Sequence, residues 1–231
     1  MAIPDSVHID HTVVVPDLRG IGRSSKPADG YDKKTQAKDI RAVVTALGYD
    51  KTSVVAHNIG NMVAYAYAAT YPDKVERLVV MDAPIPGIDP WNEILLNPGV
   101  WHFNFHGPDA ERLVAGRERI YFDRIWNDFT GDPGRPDEAT RNFCRYLRAT
   151  RGMRAGFAQF AAFSQDAKEK QGLRTNEADD ACDGGRWGEV FWRPPGRNHA
   201  ACSDERAGGG RGGLRTLADG RTTSLHSRVD S

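Results

Sequence analysis

The most constraining feature of the sequence is a short apolar strand that runs directly into a helix. Residues 53–55 form a compact β-favouring run, and residues 61–71 have helical periodicity and are rich in alanine. Between them, Ala56 and Gly60 stand two positions before and after Asn58. So tight a turn needs small residues at these positions, because the strand and helix backbones nearly touch there. The pattern predicts that the Asn58 side chain projects above the edge of a sheet, near backbone N–H groups that can face a developing negative charge.

A second motif precedes this turn. Residues 12–16 read Thr-Val-Val-Val-Pro, which predicts a buried strand. The loop that follows, residues 17–27, has the pattern Asp-x-Arg-Gly-x-Gly-x-Ser-x-x-Pro. Gly20 and Gly22 allow backbone conformations that a Cβ would penalise. Asp17 and an arginine two residues later are expected to tie the loop together.

In this order and spacing, the two motifs resemble the α/β-hydrolases, specifically the branch that holds epoxide hydrolases and haloalkane dehalogenases. That branch carries His-Asp-x-Gly at its nucleophile elbow, and residues 57–60 read His-Asn-Ile-Gly. The resemblance covers about residues 11–170 and implies a hydrolase acting on small epoxides or halogenated compounds. The main departure is Asn58, which stands where the branch has its nucleophilic aspartate.

The rest of the chain divides into three parts. Asp32 is expected to cap a helix over residues 33–47, and residues 77–81 read as a further strand. Alternating strands and helices predict an α/β fold with a parallel sheet. The resemblance then implies a partial α/β-hydrolase core over residues 1–84, an inserted helical cap over residues 85–170, and a tail over residues 171–231 that we expect to be disordered.

The aromatic-rich segment after residue 85 supplies the candidate substrate-binding residues. In the family this region roofs the active site, and epoxide hydrolases place two cap tyrosines against the epoxide oxygen. Where the second tyrosine is expected, this sequence has phenylalanine, which favours dehalogenation or another hydrolysis over epoxide opening. Ordinary packing between helices is the alternative for each aromatic residue. The candidates are His102, Phe103, Tyr121, Trp126 and Phe160.

Composition excludes several classes of function. The formal net charge is +0 with a sequence pI of about 7.1, so no overall field favours nucleic acid or an anionic membrane. No apolar run approaches the roughly 18 residues of a membrane span. The three cysteines have neither zinc spacing nor a disulfide pattern. We expect a soluble cytoplasmic protein with no metal and no cofactor, and the oligomeric state stays open.

The tail differs in composition from the rest of the chain. Residues 171–231 contain no Lys, Ile, Met or Tyr, but nine Arg and eleven Gly. Such a composition cannot offset the entropy of ordering a backbone. Codons can be chosen for residues 172–192, and again for residues 144–151, so that a one-base shift gives hydrolase-like sequence. We therefore predict a frameshifted tail, and a genuine Arg/Gly-rich RNA-binding tail is the alternative.

The expected chemistry follows from position 58. In the branch, an elbow Asp forms a covalent ester that a late histidine then hydrolyses. An amide oxygen is a poor nucleophile, so we expect the rate of the catalysed reaction to fall on the order of 10⁴-fold or more. Ile59 is the expected backbone oxyanion donor, and His57 is expected to shape that side of the site. His199 and His226 lie in the tail, in no recognisable loop.

These residues support a truncated and inactive epoxide hydrolase-like or dehalogenase-like enzyme. The residues before Thr12 contain no His-Gly-x-Pro loop, which gives the branch its other oxyanion donor. A non-catalytic protein that keeps the elbow for packing or ligand binding is the alternative. A serine esterase is less favoured, because no serine occupies the apex.

Overall fold

The computed structural model describes residues 11–81, 83–130, 137–142, 152–172 and 190–192. The strands are β1 (Thr52–His57), β2 (Val75–Met81) and β3 (Val190–Trp192). The helices are α1 (Lys33–Ala46), α2 (Ile59–Thr70), α3 (Trp91–Leu96), α4 (Pro108–Val114), α5 (Glu118–Phe129), α6 (Glu138–Arg141), α7 (Gly152–Ala161) and α8 (Phe163–Gly172). Two 3-10 segments, Pro72–Lys74 and Pro98–Phe103, connect them.

The predicted parallel sheet is present. β1 and β2 pair in parallel, with Val54 opposite Leu78 and His57 opposite Met81, and α2 makes the crossover between them. This pairing brings the carboxyl ends of both strands to the same edge of the sheet, where α2 begins. The sheet therefore positions the strand-to-helix turn at one defined edge.

β3 lies in the segment that the sequence predicts to be unstructured. It pairs with the other side of β2, in the antiparallel direction, with Leu78 opposite Trp192. Residues 190–192 and the last residues of α8 are thus in regular structure within this segment, and the bounds of the tail stay a prediction. Residues 173–189 and 193–231 lie outside the described residues, and the frameshift stays a prediction.

Helix α2 forms the centre of the core. Its residues 61–69 are all buried, since it packs on β1, β2 and α1. A helix that is covered on all sides has apolar residues around its whole circumference and no exposed polar face. Its small side chains allow this close approach, and three of its alanines (64, 66 and 68) pack with Tyr67, Val75 and Leu78 in one apolar cluster.

The segment 12–16 departs from its predicted strand. These residues form no strand, and Val15 is 69% exposed. A strand exists only when a neighbour pairs with it, and among the described residues the sheet ends at β1. Local sequence pattern alone therefore gave the wrong structure for this segment.

Helix α1 begins as predicted. The Asp32 carboxylate accepts the Thr35 N–H at 2.7 Å, which caps the first turn. The helix ends at Ala46, and Gly48 follows with φ +83°. Beyond the sheet, α3 to α8 form a helical region whose interior is largely aromatic. Whether this helical region caps a site, as the resemblance implies, stays a prediction.

Candidate active site

The strand-to-helix turn has the strained geometry that its sequence indicates. Asn58 has φ 54° and ψ −130°, and it is the only non-glycine residue with positive φ in the described part of the chain. Such a conformation costs on the order of 1–3 kcal/mol and persists only where surrounding contacts impose it. Ala56 and Gly60 lie beside each other, but a Cβ at residue 60 would lie 3.7 Å from the Ala56 methyl, which is ordinary van der Waals contact, so the turn has room for a methyl group there.

Hydrogen bonds from β2 and α2 hold this turn. The Asn58 N–H donates to the Met81 carbonyl at 3.2 Å, and the Asn61 N–H donates to the Asn58 carbonyl at 2.9 Å. The buried Asn61 side chain donates to the Met81 carbonyl and accepts the Met81 N–H at 2.9 Å. The end of β2 is thereby fixed to the first turn of α2, with Asn58 between them.

The Asn58 side chain is exposed and folds back on the turn. Its Oδ1 accepts the Ile59 N–H at 2.7 Å. The predicted oxyanion donor is therefore occupied by the amide oxygen of the apex residue itself. The other terminal atom of the side chain is an amide nitrogen, which donates hydrogen bonds and has no nucleophilic lone pair.

An aromatic wall stands beside α2, one turn along from Asn58. Met62 packs with Trp91 and Phe163, and the predicted residues Phe103 and Phe160 lie against the same cluster. The Phe103 and Phe160 rings stack with centroids 6.0 Å apart. We call these four aromatic residues the aromatic wall.

His102 is buried against this wall. Its ring centroid lies 4.8 Å from that of Phe103 and 5.5 Å from that of Phe160. No described residue makes a hydrogen bond with Nδ1. Burial lowers the pKa of His102, and the charge of Asp128 opposes this shift. The neutral imidazole therefore offers an unpaired polar atom in apolar surroundings.

Tyr121 occupies a second aromatic cluster, in the interior of the helical region. Its ring contacts Phe105 at 5.9 Å and Phe157 at 5.6 Å. The buried hydroxyl has no hydrogen-bond partner among the described residues, and burial raises its pKa to about 12. The group stays protonated at neutral pH. Trp101 lies between the two clusters, with its ring 5.7 Å from Tyr121 and 6.0 Å from His102.

The remaining candidates are less closely connected to the turn. Trp126 packs on Phe122 and lies 5.6 Å from the Arg141 guanidinium, which also pairs with Asp123. These contacts belong to the α5–α6 side of the helical region. His57 is exposed at the end of β1, and the late histidines at positions 199 and 226 lie outside the described residues.

Sequence reasoning missed Asn61, Met62, Trp91 and Phe163. Asn61 and Met62 stand three and four residues after the apex. From this spacing the sequence could have predicted that they lie one helical turn from Asn58. No local pattern connects Trp91 or Phe163 with α2. Over the described residues, no group of three or more His, Cys, Asp or Glu side chains is arranged to hold a metal ion. None of the described helices has both the length and the apolar character that crossing a membrane requires.

Comparison with known proteins identifies the family. The sequence model for the alpha/beta hydrolase fold matches residues 2–192. This chain is an α/β-hydrolase. The match contains residues 11–170, the range over which the motifs indicated the resemblance, and extends beyond it at both ends.

Relatives of this α/β-hydrolase include epoxide hydrolases and a dehalogenase. It is 42% identical to a soluble epoxide hydrolase of Corynebacterium sp. (strain C12), over 49% of this chain and 42% of that protein. It is 24% identical to a fluoroacetate dehalogenase of Burkholderia sp., over 87% of this chain and 55% of that protein.

Solved structures agree. The epoxide hydrolase CorEH superposes with a TM-score of 0.64 and 32% identity, over 72% of this chain and 62% of that one. Cfl2 from Burkholderia cenocepacia superposes with a TM-score of 0.61 and 33% identity, over 70% and 57%. The chain spans about half the length of the proteins it matches. The resemblance to the epoxide hydrolase and dehalogenase branch is confirmed.

Proposed function

We propose that this α/β-hydrolase has the site of an epoxide hydrolase-like enzyme but does not form the covalent ester, because Asn58 replaces the nucleophile. The observation that carries the proposal is the Asn58 side chain itself. It stands at the strained apex, and its Oδ1 accepts the Ile59 N–H at 2.7 Å. The atom left to face a substrate is an amide nitrogen, which cannot attack carbon.

The surroundings of the turn suit a small and weakly polar substrate. The aromatic wall beside the turn offers an apolar surface. Farther into the helical region, His102 and Tyr121 offer buried polar atoms that lack partners among the described residues. A buried polar group without a partner costs about 1–3 kcal/mol, so a bound ligand that hydrogen-bonds to it recovers that free energy. An epoxide oxygen or a halogen substituent matches this combination.

A carboxylate at position 58 would supply the nucleophile that formation of the covalent ester requires. One carboxylate oxygen would accept the Ile59 N–H, and the other would attack an epoxide carbon. The new C–O bond would form as the epoxide C–O bond breaks, and the released oxygen would take a proton from a donor such as the Tyr121 hydroxyl. An alkyl ester at residue 58 would result, and water would later hydrolyse it.

The test compares the native chain with Asn58→Asp by intact-protein mass spectrometry. Each protein is incubated with 1,2-epoxybutane and then digested to locate any adduct. We expect Asn58→Asp to gain the mass of one epoxide on residue 58, and the native chain to gain none there. The adduct should accumulate, since no described histidine is positioned to activate the hydrolytic water.

The matched control is Asn104→Asp, which places the same new carboxylate on an exposed residue of the helical region. Adduct at residue 104 at a similar rate would mean that the epoxide reacts with any carboxylate. Adduct on Asn58 of the native chain, or none on a folded Asn58→Asp variant, would contradict the proposal.

Two observations favour a dehalogenase-like reaction as the second candidate. Phe160 stands where the resemblance predicts a second tyrosine, and the fluoroacetate dehalogenase matches most of the chain. The same Asn58→Asp protein, incubated with fluoroacetate, would then release fluoride and gain an ester at residue 58. An adduct from one substrate class and not from the other decides between the two candidates.

A non-catalytic ligand-binding protein is a further candidate, because the Asn58 amide oxygen already accepts a hydrogen bond within the turn. Reversible binding of an epoxide by the native chain, without adduct in either form, would favour it. A cytoplasmic location and the absence of nucleic-acid partners stay predictions from composition.

A further inference from the structure

A buried ion pair joins the first residue of α1 to α8. Lys33 is 3% exposed and Asp166 is 8% exposed, although 133 residues separate them. Lys33 Nζ lies 3.3 Å from Asp166 Oδ2, and the Lys33 backbone N–H donates to Asp166 Oδ1 at 2.7 Å. The Asp166 carboxylate thus neutralises Lys33 and also accepts a backbone N–H in the first turn of α1.

Two glutamines extend this contact to α7. Gln159 Oε1 accepts from Gln36 Nε2 at 2.8 Å and from Lys33 Nζ at 3.3 Å. Gln159 Nε2 donates to the Arg19 carbonyl at 3.2 Å, in the loop that precedes α1. Lys33, Gln36, Gln159 and Asp166, which are all buried, form one polar network that we call the latch.

The latch lies directly beside the aromatic wall. Lys33 Nζ lies 5.1 Å from the centre of the Phe163 ring, and Phe163 precedes Asp166 by one helical turn. The Phe163 ring contacts Phe103 at 5.1 Å and Phe160 at 5.7 Å, and Phe160 follows Gln159 directly. A shift of α7 would therefore move Phe160, and a shift of α8 would move Phe163.

Buried charges are costly unless each has its partner. Burial lowers the pKa of Lys33 and raises that of Asp166, and each partner's charge opposes the shift of the other. An ion pair of this kind contributes little compared with apolar residues of the same size, but removal of one partner leaves an uncompensated charge. Loss of one charge would therefore leave the other buried without compensation.

We propose that the latch is a conformational device that docks α7 and α8 on α1 and so sets the position of the aromatic wall beside Asn58. The inference concerns the packing of the helical region on the core, and it holds whether or not position 58 supports chemistry. Loss of either charge should release α7 and α8 while β1, α2 and β2 stay folded.

The test is hydrogen–deuterium exchange of the full chain, followed by mass spectrometry of peptides from α7, α8, α2 and β2. In Asp166→Asn the amide oxygen can still accept the Lys33 N–H, but the Lys33 charge is left without its partner. We expect exchange in α7 and α8 to rise on the order of 100-fold, with α2 and β2 unchanged. Glu169→Gln, on the same helix, is the control and should exchange like the native chain.

The double variant Lys33→Met/Asp166→Asn removes the stranded charge. If the latch depends on charge compensation, exchange in α7 and α8 should return to within about tenfold of the native rate. The same comparison holds if Asp166→Asn does not fold, because the double variant then recovers a folded protein. The proposal would be overturned if exchange in Asp166→Asn rose equally in α2 and β2. It would also be overturned if α7 and α8 exchanged as fast in the double variant as in the single one.

Discussion

The sharpest test of the turn geometry is Asn61→Ala. Asn61 is 1% exposed, and its amide makes two hydrogen bonds to the backbone of Met81. Alanine removes both bonds, each with a net contribution of about 1 kcal/mol. It also leaves the Met81 N–H without this acceptor, at a further cost of about 1–2 kcal/mol. The Met81 carbonyl keeps the Asn58 N–H, so no penalty is added there.

Alanine regains about 0.5 kcal/mol through its higher helix propensity. The net loss should therefore be about 2–4 kcal/mol in the free energy of unfolding. Urea titration followed by tryptophan fluorescence measures it, with an unchanged m-value as the condition for comparing the two proteins.

The control is Asn104→Ala. Asn104 is exposed, and its side chain donates to the Leu95 carbonyl at 3.0 Å, so the loss of stability in this variant should stay below about 1 kcal/mol. A loss below about 1 kcal/mol for Asn61→Ala, or equal losses for the two variants, would refute the argument that Asn61 holds the turn.

Three further predictions concern the helical region and the loop before α1. Burial lowers the pKa of His102 in the folded protein. The stability that the neutral side chain contributes is therefore fully present above the pKa of histidine in the unfolded chain, about 6.5, and is lost as pH falls from there toward the lower pKa of the folded state. His102→Phe should flatten the dependence of unfolding free energy on pH between about 7 and 5, and an unchanged dependence would contradict this. Tyr121→Phe removes a buried hydroxyl without a described partner and should raise stability by about 1 kcal/mol in thermal unfolding; a comparable loss would contradict this. At Gly20 an added Cβ would lie 2.6 and 2.7 Å from two side-chain carbons, so Gly20→Ala should destabilise by about 2 kcal/mol or more. Gly48→Ala, with a similar φ and open space, should cost only about 1 kcal/mol, and equal losses at both glycines would argue against the close contact.

Coding DNA provides a separate check of the tail. A shifted frame that carries a late acid and a histidine would support the frameshift prediction. Stop codons in both other frames would mean that the tail sequence is genuine.

The sequence was most informative where structure depends on neighbouring residues. The turn at Asn58, the cap at Asp32 and the strand that ends at Met81 all follow from patterns within about a dozen residues. The same turn, with the loop at residues 17–27, indicated the family. The predicted substrate-binding residues Phe103 and Phe160 do lie in one cluster, because both belong to the aromatic segment that forms the helical region.

Local pattern failed where structure depends on a distant partner. Residues 12–16 have the composition of a buried strand, but a strand forms only when another pairs with it. The residues that complete the wall, Trp91 and Phe163, join α2 through packing between separate helices.

The sequence by itself thus determined the elbow, its parallel βαβ unit and the loss of a carboxylate at position 58. Only the tertiary structure decided that Asn61 meets Met81 at the end of β2, and that Lys33 meets Asp166 inside the protein. The physical reason is range. Backbone propensity and capping act between neighbours along the chain, whereas the burial of a charge or a ring depends on which distant helix covers it.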